Sequence, residues 1–123
     1  VISIPGATAA ITALTSSGLP SDKFLFLGFL PKATGKKEKI FINLKNLPIK
    51  ATTIIYESPD RLIETLKQIN TMFGDIDIVI CRELTKVYEE IRREKISISI
   101  DHFSKSTPKG EFVILFNQSN QNE

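Results

Sequence analysis

The sequence predicts an α/β domain, a mixed β-sheet of about five strands flanked by helices. Three observations predict it. Runs such as Thr52-Thr53-Ile54-Ile55-Tyr56 and Ile76 to Cys81 are apolar and β-branched and need burial on both faces, as inner strands do. Between such runs lie stretches whose apolar residues recur at helical spacing, over residues 37 to 47 and 59 to 73. The composition, 41% hydrophobic and 24% charged over 123 residues, is that of one globular domain long enough to build a core without disulfide or metal.

Taken in order, Val1-Ile2-Ser3-Ile4 reads as the end of a strand running into the turn Pro5-Gly6; with no initiator Met, the chain reads as cut. Ala7 to Ser17 is rich in Ala and Leu at helical spacing, and Gly18 is its stop. Phe24 to Leu30, bounded by Asp22-Lys23 and Pro31, is a buried strand or an apolar patch against another domain. Residues 37 to 47 place Ile40, Phe41, Leu44 and Leu47 on one face before Pro48 ends the run. After the strand at 52 to 56, Ser58 can cap a helix with Pro59 at its first position. Leu62, Ile63, Leu66, Ile69 and Phe73 form its inner stripe and Gly74 stops it. Ile76 to Cys81 is the next strand, residues 87 to 100 look extended, and Glu111 to Phe116 is the last strand. Residues 96 to 103 read two ways: the Ile-Ser alternation favours strand, whereas Asp101 to Lys105 could close a short helix.

Several function classes are excluded by composition. The net charge is only +2, so any nucleic-acid surface must be local. Cys81 stands alone, which excludes an internal disulfide; with no Cys/His cluster, structural zinc is excluded too, and a reducing, cytoplasmic setting fits. No apolar run approaches the roughly 18 to 20 residues of a membrane span, and the start lacks the basic region of a signal peptide.

Polar clusters fall just after strand ends, where open α/β sheets hold ligands. Pro5-Gly6-Ala7-Thr8 lets backbone approach a ligand, although a tight strand-to-helix turn explains it as well. In Tyr56-Glu57-Ser58-Pro59, with Arg61 beyond, capping accounts for Ser58 and Pro59 but leaves Glu57 unexplained. Arg82-Glu83-Leu84-Thr85-Lys86 is either a solvated turn or a site, and no neighbour in sequence explains its charges. Pro108-Lys109-Gly110-Glu111 is a weaker candidate that a turn also explains. Residues 31 to 50 hold Lys32, Lys36, Lys37, Lys39, Lys45 and Lys50 against Glu38 alone, a segment suited to phosphate contacts or simply a solvated face. His102, the only histidine, has no nucleophile in pattern with it and reads as packed or surface; Cys81 reads as a core thiol.

Taken together and in order, these segments resemble a known family. Pro5-Gly6-Ala7-Thr8-Ala9, Ser17-Gly18-Leu19-Pro20, Phe24 to Lys32, Tyr56-Glu57-Ser58-Pro59-Asp60-Arg61-Leu62, Arg82-Glu83-Leu84-Thr85-Lys86 and Lys109-Gly110-Glu111-Phe112 run in the register of the ribosomal RNA small subunit methyltransferase I family, within the tetrapyrrole methylase superfamily. The resemblance covers nearly the whole chain. It implies the C-terminal domain of a two-domain class III methyltransferase using S-adenosylmethionine (AdoMet) to 2'-O-methylate a cytidine ribose in 16S rRNA of the small ribosomal subunit. Nothing here matches the family's N-terminal glycine-rich domain, so the chain reads as half an enzyme, inactive alone. The resemblance assigns AdoMet contacts to Pro5, Gly6, Ala7, Thr8, Tyr56, Glu57, Ser58, Arg82, Leu84, Thr85 and Gly110, and offers Glu83 and Lys86 as general base. It assigns RNA contacts to Lys32, Lys36, Lys37 and Lys39, and a homodimer whose interface falls on Phe24 to Leu30, with no metal and no membrane. The rival readings are a methylase of the same superfamily acting on a tetrapyrrole or other small molecule, and a non-catalytic dimerisation or interaction domain.

Overall fold

A computed structural model of the chain describes residues 13–15, 17–83, 88–105 and 108–117. Within them run strand β1 (Phe24–Phe29), helix α1 (Thr34–Lys45), β2 (Thr52–Glu57), α2 (Leu62–Phe73), β3 (Asp77–Glu83), β4 (Tyr88–Lys95), α3 (Ile96–Ser104) and β5 (Glu111–Asn117). Ala13 to Thr15 and Ser17 are helical as well, and Gly18 follows at a positive φ of 79°. The strand at Val1 to Ile4, the Pro5-Gly6 turn and the first part of the Ala7 to Ser17 helix lie outside the described residues.

The five strands form one mixed sheet in the order β1-β2-β5-β3-β4. β1 and β2 are parallel, and β5 is antiparallel to both its neighbours, β2 and β3. It follows that β1, β2 and β3 point the same way and that β4 and β5 return. Their alternation divides the side chains between two layers. Ile55, Ile78, Ile80, Phe112, Ile114 and Phe116 face α1, α2 and α3, whose Phe41, Leu44, Leu62, Leu66, Ile69, Ile96 and Phe103 complete the larger core. Ile54, Val79, Cys81, Val113 and Leu115 face the other way, onto Ala13 and Leu14. Each Val, Leu, Ile or Phe among them, fully buried, contributes roughly 1.5 to 3 kcal/mol of transfer free energy.

On that second face the edge strand stays open. β1 bulges between Phe26 and Gly28, where Gly28 takes a φ of 64° that a residue with a Cβ resists. The extra residue returns Phe29 to the side of Phe26, and both rings pack edge-on against Tyr56, with centroids 5.1 and 5.5 Å away. Phe24, Phe26 and Phe29 remain 42%, 41% and 57% exposed, so the Phe24 to Leu30 segment is a strand with one covered face and one uncovered.

Two expectations are corrected. The helix foreseen from Pro59 begins at Leu62, and Ser58 does not cap it; the Ser58 amide is bound by the Glu57 carboxylate, and the chain makes one more turn, closed by Arg61 N–H on the Ser58 carbonyl at 3.2 Å. The extended reading of 87 to 100 holds only to Lys95. Ile96 to Ser104 is helical, with Ile96, Ser99 and Phe103 buried at helical spacing.

Candidate functional site

Strand direction gathers the expected segments at one end of the sheet. The carboxyl ends of β1, β2 and β3 and the starts of β4 and β5 lie there together. Glu57 and Arg82 are both in register with Phe112, one from each side. Gly110, at a φ of 91°, makes the turn into β5 beside them. Side chains at matching register share a face, so Glu57 and Arg82 both stand on the helix-covered side, while Tyr56 points to the opposite, aromatic side. The Tyr56-Glu57 pair is thereby split between the two layers.

Glu57 is 3% exposed. Its Oε1 accepts the Ser58 amide at 2.9 Å and lies 3.4 Å from Arg61 Nε. Its Oε2 accepts a 2.6 Å hydrogen bond from the Thr65 hydroxyl, which in turn accepts one from Lys37 Nζ at 3.0 Å. Lys37 is 1% exposed and Thr65 fully buried. This corrects one expectation: among the four lysines proposed to meet RNA, Lys37 faces inward. The reason is helical spacing, since Lys37, Phe41 and Leu44 form the inner stripe of α1. Lys32, Lys36 and Lys39 are not buried in this way.

Across Phe112, Arg82 has a partner that reading along the chain does not supply. Its Nε lies 3.2 Å from Glu90 Oε1 on β4. Glu90 and Glu94 flank Arg92, whose guanidinium binds both oxygens of Glu94 (2.9 and 3.0 Å) and Glu90 Oε2 (3.1 Å). Ser99 of α3 donates to Glu94 at 2.6 Å. His102 stands edge-on to Phe103, 4.8 Å between centroids, with Nε2 4.0 Å from Glu90 Oε2. The period-two spacing of residues 90, 92 and 94 carries this ladder and is visible in sequence once β4 is known to be a strand.

A pocket of about 540 Å³ is lined by Pro59, Asp60 and Ile63 around the start of α2 and by Phe103, Lys105 and Pro108 from the end of α3 and beyond. The Ser58 hydroxyl, the local backbone and the nearby cations Arg61 and Lys32 hold the Asp60 carboxyl below its usual range, so its negative charge at the pocket mouth is secure. Of the other expected residues, Glu83 ends β3 in register with Glu111 and Tyr88. Pro5, Gly6, Ala7, Thr8, Leu84, Thr85 and Lys86 lie outside the described residues. Among the described residues there is no group of three or more His, Cys, Asp or Glu placed to hold a metal, and no helix long and apolar enough to cross a membrane.

The fold and this end define an α/β domain of the kind that meets small ligands where its parallel strands terminate. No family model matches the chain. Individual proteins do. It is 46% identical over 112 residues to the ribosomal RNA small subunit methyltransferase I of Rickettsia prowazekii (strain Madrid E), covering 91% of this chain and 39% of that protein. To the protein of the same name from Halalkalibacterium halodurans it is 45% identical over 115 residues, 94% of this chain and 39% of the relative. The Thermotoga maritima protein of that name is 39% identical over 113 residues, 91% of this chain and 49% of the relative. Over nearly all of its length the chain is similar to proteins named ribosomal RNA small subunit methyltransferase I, and it spans about two fifths of the length of the first two relatives.

Proposed function

We propose that this chain is the C-terminal domain of a two-domain, AdoMet-dependent class III methyltransferase that 2'-O-methylates a cytidine ribose in 16S rRNA. The observation that carries the proposal is 46% identity, over 91% of the chain, to a protein named ribosomal RNA small subunit methyltransferase I. The donor, the ribose oxygen and the base are our reading of the motif order. In the reaction the sulfonium carbon–sulfur bond breaks as the carbon–oxygen bond forms in line, sulfur keeps the electron pair, and the hydroxyl proton leaves to a base. The protein must chiefly position and deprotonate the acceptor.

The strand end suits a cationic donor. Asp60 holds an exposed negative charge there, and the Tyr56–Ser58 strand end, Arg82 and Gly110 frame the same region. Pro5 to Thr8, Leu84 and Thr85 complete the donor contacts, Glu83 and Lys86 supply the base, and Lys32, Lys36 and Lys39 meet RNA phosphates. A homodimer in the cytoplasm, joined over the Phe24, Phe26 and Phe29 face, covers the aromatic side chains that β1 leaves exposed.

The test is an assay with methyl-labelled AdoMet on small ribosomal subunits, using the complete protein and these 123 residues alone. Label should enter the RNA only with the complete protein. It should survive alkali in a dinucleotide, because a methylated 2'-oxygen cannot attack the neighbouring phosphate. Label in a base, or equal turnover by the chain alone, would refute the reading.

A further inference from the structure

At the end of β2 the protein itself engages both oxygens of the strand-end carboxylate. Glu57 holds the Ser58 amide with one oxygen and the Thr65 hydroxyl with the other, and Arg61 adds its charge at 3.4 Å. A buried carboxylate held in this way fixes the turn that follows. Thr65 gives its proton to Glu57 and takes a proton donor from Lys37, so one hydroxyl bridges two buried charges. No ion pair within 4.0 Å joins Lys37 and Glu57 directly among the described residues.

For stability alone this is a poor use of buried space. Apolar side chains of similar volume commonly match or better buried charged groups, and Phe41 and Leu66, both fully buried, show that this core accepts them. Removing one member, by contrast, leaves an unpaired charge. The arrangement ties three elements together at the ligand-facing sheet end: the inner face of α1, the first turns of α2 and the last residue of β2. We propose that Lys37 and Thr65 are positioning residues that act through Glu57 to hold the Ser58–Arg61 turn where it meets the methyl donor. The inference rests on the methyltransferase reading above.

Rigid supporting contacts of this sort decide whether a site is held to its working geometry. Thr65→Val in the complete protein keeps the shape and removes the bridge. The KM for AdoMet should rise about tenfold while kcat and the KM for small-subunit RNA stay within about threefold, as expected when a hydrogen bond to a charged group supports binding alone. Thr65→Ser should restore the parent value. Added to Glu57→Gln, Thr65→Val should cost little more, because both break one device. A Thr65→Val protein that melts lower but keeps its donor KM overturns the proposal. If that variant does not fold, Lys37→Met is read in the same assay: a donor KM raised severalfold supports the proposal and an unchanged one overturns it. A parent protein that neither binds nor uses AdoMet overturns the methyltransferase reading and this inference together, whereas a normal parent with indifferent variants overturns this inference alone.

Discussion

Asp75 caps α3 from outside the helix: Oδ1 accepts the Ser97 amide and Oδ2 the Ser97 hydroxyl, each at 2.8 Å. The first amides of a helix have no partner within it, and the residue preceding α3, Lys95, makes no side-chain cap. A residue from the α2–β3 connection does so instead. Asp75→Ala should therefore cost about 1 kcal/mol, the usual value of a cap, and lower the melting temperature by a few degrees. Thermal unfolding followed by circular dichroism checks this; an unshifted midpoint would show that docking of Ile96 and Phe103 alone holds the helix.

Glu94 links stability to acid. Burial alone raises its carboxyl, yet the Arg92 guanidinium and the Ser99 hydroxyl together hold it below the ordinary glutamate range. A lowered carboxyl contributes stability that is complete above its unfolded value, near 4.5, and lost as the pH falls through the lower folded value. Urea midpoints of the parent and Glu94→Gln should differ by the equivalent of about 1 to 3 kcal/mol at pH 7 and converge toward pH 3. A gap that persists unchanged into acid would sink the account.

Cys81 has the opposite dependence. Burial pushes its thiol up from 9.0 to about 11, against a smaller lowering by Arg93. The folded state keeps a proton that the unfolded state gives up, so stability falls as the pH rises from 9 toward 11, by at most about 1.4 kcal/mol per pH unit. Cys81→Ala should lack this component in a parallel urea series. At pH 8 the native thiol should resist a disulfide reagent until denaturant is added; rapid labelling of the folded chain would contradict its burial.

The basic segment separates into two kinds of lysine. Lys32→Ala, Lys36→Ala and Lys39→Ala together should leave stability within about 0.5 kcal/mol, as surface substitutions do. In the complete protein they should flatten the dependence of RNA binding on log salt by roughly 0.7 for each phosphate no longer neutralised. Lys37→Ala should do the reverse, destabilising by about 1 to 3 kcal/mol through the buried hydrogen bond to Thr65 that it loses, with little change in salt slope. Filter binding at graded salt and urea unfolding of the same variants decide it.

The inner sheet was legible because Ile54-Ile55, Ile78 to Cys81 and Val113 to Phe116 bury both faces, which leaves unbroken apolar runs in the chain. α3 was not. Ile96-Ser97-Ile98-Ser99-Ile100 alternates like a strand, and what makes it helical is the Asp75 cap, 22 residues away, with the docking of every third or fourth side chain. The strand-end positions of Tyr56 to Ser58 and Arg82 could be read from apolar runs ending in charge, but their partners could not. Pairing Glu57 with Thr65 and Lys37 requires α1 packed on α2, and pairing Arg82 with Glu90 requires the β3–β4 register. Lys37 looked solvated within a basic run, although its place four residues before Phe41 and seven before Leu44 marked it as inward.

The position of β5 bears on how the domain is made. Ile114 lies between Ile55 of β2 and Ile80 of β3, so the strand that comes last of the five in sequence sits at the centre of the sheet. As the chain leaves the ribosome, β1-α1-β2 and the β3–β4 hairpin emerge as two half-sheets, each with a bare apolar edge waiting for the same partner. Only the emergence of residues 111–117 joins them, which places the decisive non-local pairing after the other four strands have been made and lengthens the interval in which unpaired edges invite aggregation. A chain stopped just before Glu111 is therefore not a slightly smaller domain but two adhesive pieces on one string.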